Sequence, residues 1–271
     1  MSGTYEREID AAREAARAAA KRILELYGPD VEVRWKGEND PVTAADEAAT
    51  GVILEHLHGA FPDDAILIEE RADDRSRLGR RRVWIVDPLD GTREFIDRIP
   101  EFCVMIGLVE DGEPVVGVVH VPLTGAVFLG SRGSSARRID GDGTTVDLSC
   151  TPAPSIEAMR LVVSRSHRSE KISRAKDLLG ITAEVPSGSV GMKVARLVTG
   201  EADLYIHLGP GIKLWDACAP DAILRSAGGL MTDPAGAPID YGAESVHCPI
   251  GLLASAGTHH AAIADKLEPI I

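Results

Sequence analysis

Small apolar residues recur with helical spacing at the start of the chain, where Ile9, Ala12, Ala16, Ala19, Ile23 and Leu26 form one stripe among Arg and Glu. The spacing predicts a helix over 4–27, stopped by Gly28-Pro29. A polar loop from Lys36 to Pro41 leads to Thr43, which is set up as the N-cap of a second helix over roughly 44–59. The pattern then changes to short apolar runs. Ala65-Ile66-Leu67-Ile68 runs into Glu69-Glu70, and Val83-Trp84-Ile85-Val86 runs into Asp87. Between them Arg80-Arg81-Arg82 reads as a solvated face. From Phe102 to Leu129 three apolar runs are separated by Asp111-Gly112 and by Pro122 to Gly125, which is a β pattern. Residues 131–157 are rich in Gly, Ser, Asp, Thr and Pro and are read as the join between two halves, 1–150 and 151–271. The second half alternates strand (159–164), helix (168–179), strand (181–186), helix (190–199) and strand (203–207). A helix over about 215–227, further strands and a C-terminal helix from about 257 follow. Alternating elements with meander segments predict layered α/β or α+β packing.

Composition narrows the class. Apolar residues make up 44% and charged residues 26% of the 271 positions, an ordinary globular balance. No apolar run approaches the roughly 18 residues of a membrane span. Glu6, Glu8, Asp10 and Glu14 break the Ala-rich N-terminus where a signal peptide needs an apolar core. Cys103, Cys150, Cys218 and Cys248 are scattered, as expected of reduced thiols in a cytoplasmic protein. A net charge of −13 argues against nucleic-acid partners, because such a surface repels phosphate backbones. It still allows a small anionic substrate if metal ions reverse the sign locally.

The segment Asp87-Pro88-Leu89-Asp90-Gly91-Thr92 carries the most chemistry. A buried strand delivers Asp87, Pro88 keeps it extended, and Gly91 permits close approach of backbone to ligand. A helix starting at Gly91-Thr92 would set free amides beside two carboxylates. Mg²⁺ takes such oxygen ligands. Taken alone, the segment reads equally well as a capped turn. Glu69-Glu70 at its own strand end, Asp216 at the start of a helical run and Asp46 after a Pro-Val-Thr turn shift the reading toward a metal cluster.

With these pieces in order, the sequence resembles the lithium-sensitive, magnesium-dependent inositol monophosphatase superfamily. The matching parts are Asp40-Pro41-Val42-Thr43-Ala44-Ala45-Asp46, Glu69-Glu70, Asp87 to Thr92, and Trp215-Asp216 followed by Gly228-Gly229. The resemblance implies a layered αβαβα sandwich with its site between the halves, and two or three Mg²⁺ ions per site. Glu69, Asp87 and the Leu89 carbonyl would hold one ion, and Asp87, Asp90 and Asp216 a second. Glu69 with waters would hold a weaker third, with Glu70 behind it. Thr92, paired with Asp46, would orient and deprotonate a metal-activated water, and the Gly91 and Thr92 amides would receive the phosphate.

Within the superfamily the sequence looks like the 3'(2'),5'-bisphosphate nucleotidase branch. Val163-Ser164-Arg165-Ser166-His167, the run Gly209 to Pro220, and Arg93-Glu94-Phe95 after Thr92 carry that likeness. It implies hydrolysis of adenosine 3',5'-bisphosphate, with Ser164, Ser166, His167, Gly188, Ser189 and Lys193 contacting the nucleotide and its second phosphate. Hydroxyls, amides and a lysine at a helix N-terminus suit an anion; ordinary loops with a capping Ser are the plainer reading. Alternatives are inositol 1-phosphate or a sugar bisphosphate as substrate, or a non-catalytic metal-binding or regulatory protein on the same fold. The partner expected is a small phosphorylated molecule, with neither nucleic acid nor membrane, and the chain is expected to be a monomer or homodimer. His259-His260 lacks partners at ligand spacing, Trp215 reads as packing under the site, and Cys218 as a buried structural thiol.

Overall fold

The architecture comes from a computed structural model, which describes residues 5–28, 33–37, 40–165 and 169–271. Helix α1 (Glu6–Glu25) and helix α2 (Ala44–Ala60) flank a small hairpin of β1 (Val33–Gly37) and β2 (Asp40–Thr43). Next come β3 (Ala65–Ile68), β4 (Arg82–Asp90), the short helix α3 (Thr92–Ile96), β5 (Cys103–Glu110), β6 (Glu113–Val121) and β7 (Ala126–Ser131). A last hairpin of the first half is β8 (Ala136–Ile139) and β9 (Thr145–Leu148). The chain continues through β10 (Arg160–Ser164), α4 (Glu170–Leu179), β11 (Ala183–Ser187), α5 (Val190–Val198), β12 (Leu204–Leu208) and β13 (Ile212–Lys213). It closes with α6 (Leu214–Ser226), β14 (Leu230–Thr232), β15 (His247–Cys248), β16 (Gly251–Ser255), α7 (His260–Leu267) and a final 3₁₀ turn.

Among the described residues, β3 to β9 pair in chain order as one sheet, parallel only between β3 and β4. A second sheet has the order β11-β10-β12-β16-β14. Side-chain alternation turns each sheet into a two-faced layer. Val104, Ile106, Val116 and Val118 face α1 and α2, packing with Ile9, Ala16, Ile23, Ile53 and Leu57. Met105, Val119 and Phe128 face the other way, onto Val194, Ala219 and Ile223 of α5 and α6 and, beyond them, Val162 and Tyr205 of the second sheet. The far face of that sheet, with Leu161, Leu204 and Leu253, is covered by Leu179 of α4 and Ile263 of α7. The layers run α-β-α-β-α, as the resemblance implied. Helices α5 and α6 are the shared middle layer, so the two halves have one core between them.

One expectation changes, and one stretch carries strands its composition did not announce. The polar stretch 131–157 holds β8 and β9, which extend the first sheet. At a sheet edge a strand needs few apolar residues, and Ala136 and Leu148 are the buried ones here. The Arg80-Arg81-Arg82 run is not wholly solvated either. Arg82 reaches inward to Asp64, Glu8 and Glu110 at 3.0, 3.0 and 3.4 Å. No described helix is long and apolar enough to cross a membrane.

Candidate metal and phosphate site

The site begins where β4 ends. Pro88 keeps Asp87 extended, and the pairing with β5 slips between Asp87 and Asp90, so the strand bulges as it leaves the sheet. The Asp87 carboxylate accepts the Leu89 amide at 2.9 Å, which turns the chain and brings Asp90 back beside it. Asp90 is held from the second half: the Gly191 amide donates to its Oδ2 at 2.7 Å. Asp216 arrives on the first turn of α6, where its carboxylate accepts the Lys213 amide at 2.6 Å. One carboxylate oxygen from each of Asp87, Asp90 and Asp216 lies within 4.8 Å of the others. Glu69, half-buried at the end of β3, is close enough to act on Asp87 and Asp216 electrostatically.

The electrostatics fit a cation. Burial pushes the carboxyls of Asp87 and Asp216 well above the usual range, and repulsion from Glu69 and the other aspartates pushes further. Burial raises Asp90 as well, opposed by the Gly191 amide and Lys193. Several acidic groups driven together out of water are costly unless a cation joins them. Lys193 supplies part of the compensation: it is buried, its ammonium lies 5.1 Å from the Tyr205 ring centroid, and it faces Asp90, Glu94 and Asp216. The donors are all oxygen, which suits a hard divalent ion such as Mg²⁺.

Beside the cluster sits a hydroxyl pair. Thr43 caps α2, with its hydroxyl accepting the Ala45 amide at 3.1 Å. Asp46 Oδ2 accepts the Thr43 amide and hydroxyl, each at 2.7 Å. The other oxygen, Oδ1, lies 3.1 Å from the Thr92 hydroxyl, which is also 3.1 Å from the Leu89 carbonyl. Burial pushes Asp46 up to about 6, the Thr43 hydrogen bonds opposing it and Glu70 adding repulsion. Gly91, at φ +91°, caps α3, and a Cβ there would lie 2.9 Å from the Glu101 carbonyl oxygen and 3.1 Å from Ser189 Cβ. Only glycine fits this turn.

The second half lines the opposite wall. Ser164 ends β10 and pairs with Ser187 of β11. Gly188 and Ser189 follow, and the Ser189 hydroxyl caps α5 by accepting the Met192 amide at 3.1 Å. Ser166 and His167 lie outside the described residues. Sequence reasoning passed over Glu94, Glu101 and Tyr205, which pack around Lys193 or Gly188. Glu101 and Tyr205 stand in no motif, Glu94 belongs to the run after Thr92 but was given no role there, and only the tertiary fold brings the three together. Trp215 is buried under Lys213, Cys218 is buried, and His260 bridges Thr232 and Ser255 through its two ring nitrogens.

Comparison with known proteins gives a consistent relationship. The inositol monophosphatase family matches residues 5–271. The chain is 34% identical to the 3'(2'),5'-bisphosphate nucleotidase CysQ of Escherichia coli K12, over 86% of this chain and 93% of that protein. It is 31% identical to inositol monophosphatase 3 of Solanum lycopersicum, over 91% and 93% of the two chains. Among solved structures, CysQ from Bacteroides thetaiotaomicron superposes with a TM-score of 0.79 at 30% identity, covering 94% of this chain and 99% of the other.

Proposed function

The chain belongs to the inositol monophosphatase family of phosphatases, and we propose that within it the chain is a magnesium-dependent 3'(2'),5'-bisphosphate nucleotidase converting adenosine 3',5'-bisphosphate to AMP and phosphate. The observation that carries this reading is the meeting of two unlike walls. The carboxylates of Asp87, Asp90 and Asp216 converge directly against the Ser-Gly-rich start of α5, whose Gly191 amide is bonded to Asp90. One wall suits the metal and the scissile phosphate; the other, with Ser164, Gly188, Ser189 and Lys193, suits a second anionic group. The likeness to CysQ supports the same choice.

Glu69, Asp87 and the Leu89 carbonyl would hold one Mg²⁺, Asp87, Asp90 and Asp216 a second, and Glu69 a third. Bound magnesium would neutralise phosphate oxygens, acidify the nucleophilic water and stabilise the leaving oxygen. The chain's own residues do the rest. Above about pH 6 Asp46 is charged and accepts the Thr92 hydroxyl proton, which leaves the Thr92 oxygen to accept from water. The pair aims that water at phosphorus and takes up its proton as the new P–O bond forms and the ester P–O bond breaks. The 3'-oxygen leaves with the bonding electrons and takes a proton from solvent water to become the hydroxyl of AMP. A group titrating near 6 suits a base working near neutrality. Glu70 adds negative charge beside Asp46, and the Gly91 and Thr92 amides would receive the phosphate. A cytoplasmic location, which four unpaired thiols support, and a monomeric or homodimeric chain complete the reading.

The test is phosphate release from adenosine 3',5'-bisphosphate and inositol 1-phosphate, side by side in saturating Mg²⁺. A kcat/KM at least about tenfold higher for the bisphosphate is expected. Preference for inositol 1-phosphate would overturn the substrate assignment and leave the metal site standing.

A further inference from the structure

Glu101 is no metal-ligand candidate and stands in no motif, yet it is buried and gathers the second half of the chain around its carboxylate. Arg165 grips it with two parallel bonds, Nε to Oε2 at 2.9 Å and Nη2 to Oε1 at 2.8 Å. The Gly188 amide donates to Oε2 at 2.7 Å. Arg196 of α5 donates to Oε1 at 3.2 Å while its other arm holds Glu201 at 2.7 Å. The backbone is wedged as tightly. A Cβ on Gly91 and a Cβ on Gly188 would each come within 2.9 Å of the same Glu101 carbonyl oxygen.

One residue of the first half therefore touches both sides of the site. On one side it meets Gly91, next to the carboxylates. On the other it fixes Gly188, three residues before the Gly191 amide that is bonded to Asp90. A bidentate carboxylate–guanidinium fork also sets the plane of a long side chain that would otherwise sweep many rotamers. Arg165 directly follows Ser164, at the end of β10.

We propose that Glu101 is a positioning residue for substrate selection: by holding the Gly188 backbone and the guanidinium groups of Arg165 and Arg196 it fixes one rigid, basic wall beside which the second anionic group of the substrate binds, without taking part in bond breaking. The inference rests on the reading that the site takes an ester with a second anionic group. Its consequence is a split. Loosening the wall weakens binding of a two-phosphate ligand and leaves turnover of a one-phosphate ester nearly untouched.

The experiment uses p-nitrophenyl phosphate as the one-phosphate substrate in saturating Mg²⁺, with adenosine 3',5'-bisphosphate as competitor. The competitor's Ki is defined whether or not it is itself hydrolysed. Glu101→Gln keeps the shape and removes the charge, so Ki should rise about tenfold, while kcat for p-nitrophenyl phosphate stays within about twofold. Arg165→Met removes one partner and should raise Ki by a smaller factor; it carries the test if Glu101→Gln shows no cooperative unfolding transition. An unchanged Ki in the folded variants, or a fall in kcat matching the rise in Ki, would overturn the positioning role. The wild type judges the underlying reading separately: if the bisphosphate inhibits it no better than AMP does, the two-phosphate pocket is wrong whatever Glu101 does.

Discussion

His120 stands on β6 beneath α1, buried, with Nδ1 lacking any hydrogen-bond partner among the described residues. Burial, helped by repulsion from Arg17, pushes its pKa from 6.5 down to about 4. The unfolded chain therefore takes up this proton first as pH falls. The contribution of neutral His120 is fully present above about pH 6.5 and is lost progressively toward pH 4. Between pH 7 and pH 5 this group alone removes about 2 kcal/mol of stability. Urea unfolding of wild type and His120→Gln at both pH values checks it: the variant should lose about 2 kcal/mol less over that interval. Equal losses would rule the histidine out as the source. Nothing in the sequence marks His120, since a lone histidine in an apolar run gives no sign of its partners. Thr43 is the opposite case. Its polar hydroxyl before an Ala-rich run is a cap by local chemistry alone, and the hydrogen bonds to Ala45 and Asp46 are those the short-range pattern predicts.

Helix α6 carries Asp216, and a row of glycines decides where that helix lies. Gly107 on β5 pairs with Gly117 on β6, which pairs with Gly130 on β7. A Cβ on Gly117 would sit 2.2 Å from the Ala219 carbonyl oxygen, one on Gly107 2.5 Å from Cys218 Sγ, and one on Gly130 2.6 Å from Ile223 Cα. The helix backbone thus lies almost on the sheet, which brings its first turn down onto the end of β4. Gly117→Ala must push α6 outward. The expected cost is about 2 kcal/mol or more in urea unfolding, with kcat/KM lowered about tenfold because Asp216 moves with the helix. Gly51→Ala, at a helical position with open space around it, is the control: it should leave kcat/KM unchanged and raise stability by about 0.5–1 kcal/mol, since Ala is the better helix former. Native activity in Gly117→Ala would show that the glycine row does not set the site. Each of these glycines stands alone in its own β run, so only strand register, which sequence does not display, lines them up. The elements themselves were legible wherever apolar spacing ran long. Helices α1 and α2 and strands β4 to β7 fall within a few residues of the expected bounds, whereas β8 and β9, with mostly polar faces at a sheet edge, do not announce themselves.

At the scale of the whole molecule, the two halves are joined through charge as well as apolar packing. Asp87 and Asp90 come from the first sheet, Asp216 and the Gly191 amide from the middle helices, and Lys193 lies beneath them. The motif spacing of the sequence anticipated that Asp87, Asp90 and Asp216 would come together. It could not anticipate that Glu101, Glu94 and Tyr205 would surround them, since those contacts exist only once both sheets are stacked on α5 and α6. A chain of net charge −13 that gathers buried carboxylates at one point stores repulsion there, which a bound divalent cation would relieve.

The most direct test is phosphate release by wild type and Asp90→Asn over a Mg²⁺ titration, with thermal unfolding of both proteins as the control for folding. The account predicts release that is near zero after chelation and restored by Mg²⁺ in the wild type. It predicts a loss of at least about a hundredfold at saturating Mg²⁺ in the folded Asp90→Asn variant. Full turnover by that variant, or wild-type release that persists without a divalent ion, would contradict the assignment of the cluster as the catalytic metal site.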